Sequence, residues 1–155
     1  MPSDPARKAH RTLDLDHFLP YRLSVLSNRV SDAIAREYSD RFGLSIPEWR
    51  VMAVLGGAPG LSARDVAERT AMDKVQVSRA VESLVRARRV ARTEDAEDGR
   101  ISRLALTAKG RAIYDEVVPL ALHLEETFLS ALKPEERRQL DALMEKLVRQ
   151  SHLLS

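Results

Sequence analysis

The chain has 155 residues, 44% hydrophobic and 31% charged, with a formal net charge of +2 and no cysteine. This length suits one domain with a sizeable core, and the composition is neither that of a disordered tail nor that of a membrane span. Without thiols, a disulfide scaffold, a Cys-ligated zinc site and a thiol nucleophile are excluded.

Residues 1–12 contain proline and basic side chains without periodicity, so they are read as a mobile N-terminal arm. They have no apolar stretch of the kind a secretory leader needs, and the longest apolar run, 117–122, is broken by Pro119. That run is far short of the roughly 18 residues of a spanning helix, so the expected compartment is the cytoplasm, with no membrane partner. From 13 to 41, Leu19, Leu23, Leu26, Val30 and Ile34 predict a long helix that ends at Phe42-Gly43. Pro20 predicts either a kink or a first-turn boundary there.

Three short helices follow, over 47–55, 63–70 and 74–88. Each opens on a capping side chain, with a partner able to bond back three residues later: Ser45 with Glu48, Ser62 with Asp65, Asp73 with Gln76. The Gly- and Pro-rich stretch 56–60 separates the first two, and Leu61 is placed to pair with a later strand. In the third helix Val77, Val81, Leu84 and Val85 form a stripe that must be buried. Val75, Arg79, Glu82 and Arg86 project from the opposite face, flanked by Gln76 and Ser78. Between Asp73 and Arg92 six basic residues face two acidic ones, a local excess suited to phosphate.

An apolar and basic ribbon comes next, with Asp98-Gly99 as its turn signal. Thr107 then caps a helix whose stripe is Ile113, Val117, Leu120, Leu124 and Phe128, with a bend expected at Pro119, where one backbone hydrogen bond is lost. Pro134 opens a last helix striped by Leu140, Leu143, Met144 and Leu147. The order helix, turn, helix, ribbon is that of a winged helix-turn-helix, whose second helix enters the major groove of DNA.

Two strings carry a resemblance to a known family. The ribbon holds Asp98, Arg100, Leu104, Leu106, Thr107 and Gly110 in the pattern Asp-x-Arg, three residues, Leu-x-Leu-Thr, two residues, Gly. Upstream, Lys74 is followed by Val77-Ser78-Arg79. In both, the chain resembles the MarR family of bacterial transcription regulators, over roughly 13–154. The resemblance implies an obligate homodimer on a palindromic operator, usually released by a small molecule.

The fold expected is mainly α, a winged helix-turn-helix over 45–106 with dimerisation helices over 13–44 and 107–155. The terminal helices carry more apolar surface than one small head can cover, which a two-fold dimer would bury. Double-stranded DNA is the expected partner. Gln76 suits adenine, Arg79 guanine and Val75 a thymine methyl, while Lys74 and Ser78 suit phosphates. Ser62 and Arg64 stand at the start of the preceding helix, and Arg86 extends the basic face.

Asp98 is expected to turn inward, anchoring an arginine or the turn's own N–H groups, so that Arg100 reaches a minor groove. Glu94, Asp95 and Glu97 are expected to be solvated. His17, Tyr21, Trp49 and Arg50 are candidates for an effector site that would take a small anionic aromatic acid or its acyl thioester. The four histidines lack metal-ligand spacing, and no catalytic constellation or cofactor-binding motif is found, so neither an enzyme nor a cofactor is expected. A winged-helix module for protein contact and a metal-responsive regulator are the alternatives.

Overall fold

The computed structural model describes residues 11–155, so the expected arm lies, apart from Arg11 and Thr12, outside the described residues. Asp14 caps a 3₁₀ turn, Leu15–His17, by accepting from the Asp16 N–H at 3.1 Å. Helix α1 runs Leu19–Phe42. Pro20 stands in its first turn, where a missing N–H costs nothing, so it marks a boundary rather than a kink. Gly43 ends the helix in the left-handed region at φ 61°.

Helices α2 (Ile46–Gly57), α3 (Ala63–Thr70) and α4 (Lys74–Arg86) follow; all three capping side chains bond as predicted, with the reciprocal bond made by Glu48 and Asp65 but not by Gln76. Helix α2 is longer than the expected 47–55 because it continues through Gly56 and Gly57. The reason is tertiary. Arg111 donates to the Gly56 carbonyl at 3.2 Å, satisfying a helix-end acceptor, and the Tyr114 ring fills the space a Cβ at Gly56 would need.

Helix α4 stops two residues short of the expected Arg88. Arg88 instead turns left-handed at φ 59°, while the Arg89 N–H bonds the Leu84 carbonyl and the Arg88 N–H that of Val85. This is the paired bonding of a Schellman ending, built here without glycine.

Strands β1 (Val90–Glu94) and β2 (Ser102–Leu106) form an antiparallel ribbon in the register Val90↔Leu106 to Glu94↔Ser102. Leu61 joins it through a bridge to Leu104, as its position suggested. Helix α5 (Ala108–Leu129) passes through Pro119 unbroken, and α6 (Pro134–Ser151) is followed by a 3₁₀ turn, His152–Leu154.

The buried core gathers Val51, Met52 and Leu55 of α2, Val66 of α3, Val77, Val81 and Leu84 of α4, and Val90 and Leu104 of the ribbon. Tyr38 and Leu44 join it from the α1 side and Ile113 and Val117 from α5, so the head's packing runs beyond 45–106 in both directions. Helix α6 buries nothing.

The Leu-Thr-x-x-Gly string has a packing cause. Thr107 accepts from the Gly110 N–H at 3.0 Å, capping α5, and its hydroxyl donates to the Arg88 carbonyl at 2.7 Å. Gly110 lies so near the Arg89 carbonyl that a Cβ there would overlap it, and backbone cannot swing aside as a side chain can. Gly110→Ala is therefore expected to destabilise the fold by about 2–3 kcal/mol despite alanine's better helix propensity. Thermal unfolding at fixed protein concentration would measure it.

Candidate nucleic-acid interface

The geometry begins with what α4 hides. Val77, Ala80, Val81 and Leu84 are buried, and that stripe fixes the rotation of the helix about its axis. The other side is turned to solvent: Lys74, Gln76, Ser78, Arg79 and Arg86 are exposed, as is Val75 at 59%. Asp73 is occupied as a cap, accepting from the Gln76 N–H at 2.8 Å, so the Gln76 side chain is not needed for the helix start. The turn from α3 into α4 places Ala71 left-handed at φ 53° and tucks Met72 into the core.

A cleft of about 440 Å³ opens between the start of α3, α4 and the ribbon. Arg64, Arg92 and Arg100 line it together with Ser62, Ser78 and Ser102. Cations and hydroxyls facing one groove suit an anionic strand. Arg92 was visible in the sequence only as part of the charge excess; its place on β1, facing α3, needed the ribbon's register. A second, smaller cleft on the far side of α4 is lined by Gln76 and Arg79 with Ser45, Pro47 and Glu48. Glu48 there accepts from Ser83 Oγ at 3.2 Å while also bonding the Ser45 N–H.

Several cations and acids are placed differently from expectation. Arg89, one of the six basic residues counted, donates to the Phe42 carbonyl at 2.6 Å and ties α4 to α1, so it is unavailable to phosphate. Arg64 keeps only an exposed pairing with Glu68 at 3.6 Å, a contact of little stabilising value that a phosphate could displace. At Ser62, the Asp65 carboxylate accepts both the hydroxyl (2.9 Å) and the N–H (3.1 Å), so the cap is closed from within.

On the wing, Asp98 does bond the turn's own backbone, accepting from the Arg100 N–H at 3.1 Å, but it anchors no arginine. That role belongs to Asp95, which pairs with Arg103 at 2.7 Å. The expectation that Asp95 is solvated is thus corrected: its side chain is only 17% exposed because it is turned back onto β2.

The four residues grouped as an effector site are spread out. His17 is exposed, with Nδ1 2.8 Å from the Asp14 carboxylate. Tyr21 lines a shallow cleft formed by the 3₁₀ turn and α1. Trp49 is half-buried, stacked between Tyr38 of α1 and Tyr114 of α5 with ring centroids 5.6 and 6.0 Å away. Arg50 is its half-buried neighbour on α2. No local pattern in the sequence marks the two tyrosines around Trp49 for this site, although Tyr38 stands off the apolar stripe of α1. Burial pushes the Tyr38 hydroxyl up to about 12, so it stays a neutral hydrogen-bonding group.

Comparison with known proteins places this geometry among regulators. The MarR family profile matches residues 42–101. The chain is 30% identical over 113 residues to the HTH-type transcriptional regulator BilQ of Clostridium symbiosum, covering 72% of this chain and 78% of that one. It is 28% identical over 131 residues to the HTH-type transcriptional repressor Mb2911 of Mycobacterium bovis, covering 84% and 91%. Among solved structures, BpsR of Bordetella bronchiseptica, whose DNA binding is regulated by 6-hydroxynicotinic acid, superposes with a TM-score of 0.74 at 27% identity, over 84% of this chain and 98% of that one.

The two acids beside Arg103, Asp95 of the wing and Asp65 of α3, also set a pH dependence. Backbone N–H groups, first that of Glu97, and the Arg103 guanidinium hold Asp95 below its ordinary 3.8. The Ser62 N–H and hydroxyl, and then Arg103, do the same for Asp65. A depressed carboxylate stabilises fully above its unfolded value and loses that contribution only as pH falls through its lower folded value. Amide-exchange protection of Glu97 and Asp98 is therefore expected to be constant from about pH 8 to about pH 5, after correction for intrinsic rates, and to fall only below about pH 4.

Proposed function

The chain belongs to the MarR family of transcriptional regulators, and from that premise we propose that it acts as a homodimeric repressor whose hold on a palindromic operator is relieved by a small aromatic acid or its acyl thioester. The observation that carries the reading is the exposed face of α4 beside an arginine-lined cleft under the wing. In this reading Gln76 and Arg79 bond base edges and Val75 meets a thymine methyl. Lys74, Ser78, Arg64 and Arg86 hold phosphates, Ser62 being taken up by Asp65 as the cap of α3, while Arg100 reaches from the wing into the neighbouring minor groove.

Residues 45–106 form the reading head, and 13–44 with 107–155 form the dimerisation region. The apolar stripe of α6 supports this division: Leu143 is 55% exposed, Leu147 46% and Val148 55% in the single chain. An apolar cavity of about 440 Å³ between α1, α5 and α6, lined by Leu23, Leu26, Val30, Phe128, Leu140 and Met144, adds to it. A two-fold partner covers these surfaces and sets the two α4 helices about one turn of DNA, roughly 34 Å, apart.

The effector is placed at the junction of α1, α2 and α5. Trp49 and Arg50 offer an aromatic surface and a cation there, whereas His17 and Tyr21 stand at the far end of α1 and lie outside this junction. Support comes from the aromatic stack joining the three helices and from the aromatic acid that regulates BpsR. The ligand binds the form in which the two α4 helices no longer match the operator spacing, so it releases DNA by no more than its differential affinity for the two forms.

The test is binding to the duplex upstream of the protein's own coding sequence, measured by fluorescence anisotropy across a salt series. Affinity should fall steeply with salt, and Arg79→Ala should cost about 1–3 kcal/mol on the preferred sequence while leaving random DNA nearly unaffected. Binding indifferent to salt and sequence would sink the DNA reading. Met144→Glu should yield a monomer by analytical ultracentrifugation, with operator affinity lost alongside. Trp49 is the sole tryptophan, so its emission should change on titration with an effective aromatic acid and with no other class of metabolite.

A further inference from the structure

We propose that Arg103 is the positioning residue of the wing, holding the loop that carries Arg100 against the start of α3. Arg103 is one of the three residues between Arg100 and Leu104 that the Asp-x-Arg string leaves unspecified. Its side chain is the centre of a continuous chain of bonds. On one side its Nε donates to Asp95 Oδ2 at 2.8 Å and a terminal nitrogen approaches the same oxygen at 2.7 Å. Asp95 Oδ1 in turn accepts the N–H groups of Glu97 (2.8 Å) and Asp98 (3.1 Å), and Asp98 Oδ1 accepts that of Arg100. On the other side the remaining nitrogen donates to the Gly60 carbonyl at 3.4 Å and stands 3.9 Å from Asp65, the partner of the Ser62 cap.

The chain of bonds thus runs from the neck of the head, through Arg103, to the backbone of Arg100. A guanidinium suits this post because its planar fork fixes direction as well as charge, which an ammonium cannot do. With two of its nitrogens committed to Asp95, Arg103 acts on DNA only through the loop it orients. Its loss would leave Arg100 present but spread over many positions, and an ordered contact would become one that ordering entropy opposes.

The inference rests on Arg100 being a DNA contact, and the experiment separates the two ideas. The probe is a duplex enriched from a randomised pool on the wild-type protein. Binding is compared for Arg100→Ala, Arg103→Gln and the double variant, alongside hydroxyl-radical footprints of the flanking minor groove. Arg103→Gln is expected to bind about tenfold more weakly, close to the loss in Arg100→Ala. The double variant should be no weaker than Arg100→Ala alone.

The flanking footprint should fade while guanine protection under α4 persists, and Arg103→Lys should restore only part of the affinity. Arg103→Gln binding like wild type while Arg100→Ala is weak would overturn the inference and leave the wing reading intact. So would losses that multiply in the double variant, or a footprint that weakens evenly across the site. Wild-type binding by Arg100→Ala would remove the wing reading itself, and the inference with it. If Arg103→Gln does not fold, Asp95→Asn breaks the same bond from the other end and is held to the same outcomes.

Discussion

The face that α4 turns to solvent depends on how that helix is rotated about its axis, and a stripe of small and medium apolar side chains decides that. Val77, Val81 and Leu84 are each about 1% exposed or less, and burial of each contributes about 1.5–3 kcal/mol. A rotation that brought Arg79 inward would lose much of that and bury an unpaired guanidinium besides. The polar face is therefore held outward by the core behind it, and side chains can vary there with little consequence for folding.

The same core reaches past the reading head. Tyr38 enters it from α1 and Ile113 and Val117 from α5, while Arg89 bonds the last carbonyl of α1 and Thr107 and Lys109 bond the end of α4. Helices α1 and α5 are thus joined to α4 by bonds at its C-terminal end, and to α2 by the tilted aromatic contacts of Trp49. A shift of α1 or α5 can reach α4 through these joints as a rigid-body movement.

Wing and terminal helices illustrate opposite uses of exposure. The wing is anchored at its base by Val90 and Leu104 in the core, and toward its tip by charge: an arginine on β2 pairs with an acid in its loop and stands 3.9 Å from an acid on α3. Helix α6 carries a continuous apolar stripe and leaves it about half exposed within the chain, Leu140 at 41% and Leu143 at 55%. An exposed stripe of this kind is the condition for association, because water exclusion is gained only when a second surface arrives.

The amino-acid sequence by itself determined the elements and their faces, because caps, helical periodicity and turn residues act over a few neighbouring positions. The starts of α2, α3, α4 and α5, the stripe of α4 and the pairing of Leu61 were all legible for this reason. Tertiary structure alone decided matters that depend on distant partners. Gly56 is helical because Tyr114 and Arg111 reach it, Asp95 rather than Asp98 holds an arginine because β2 brings Arg103 beside it, and Arg89 is removed from the phosphate-facing set because α1 ends where it does. Local physics fixes which way a side chain leaves its helix or strand, but the group it meets there is set by how the chain folds back on itself.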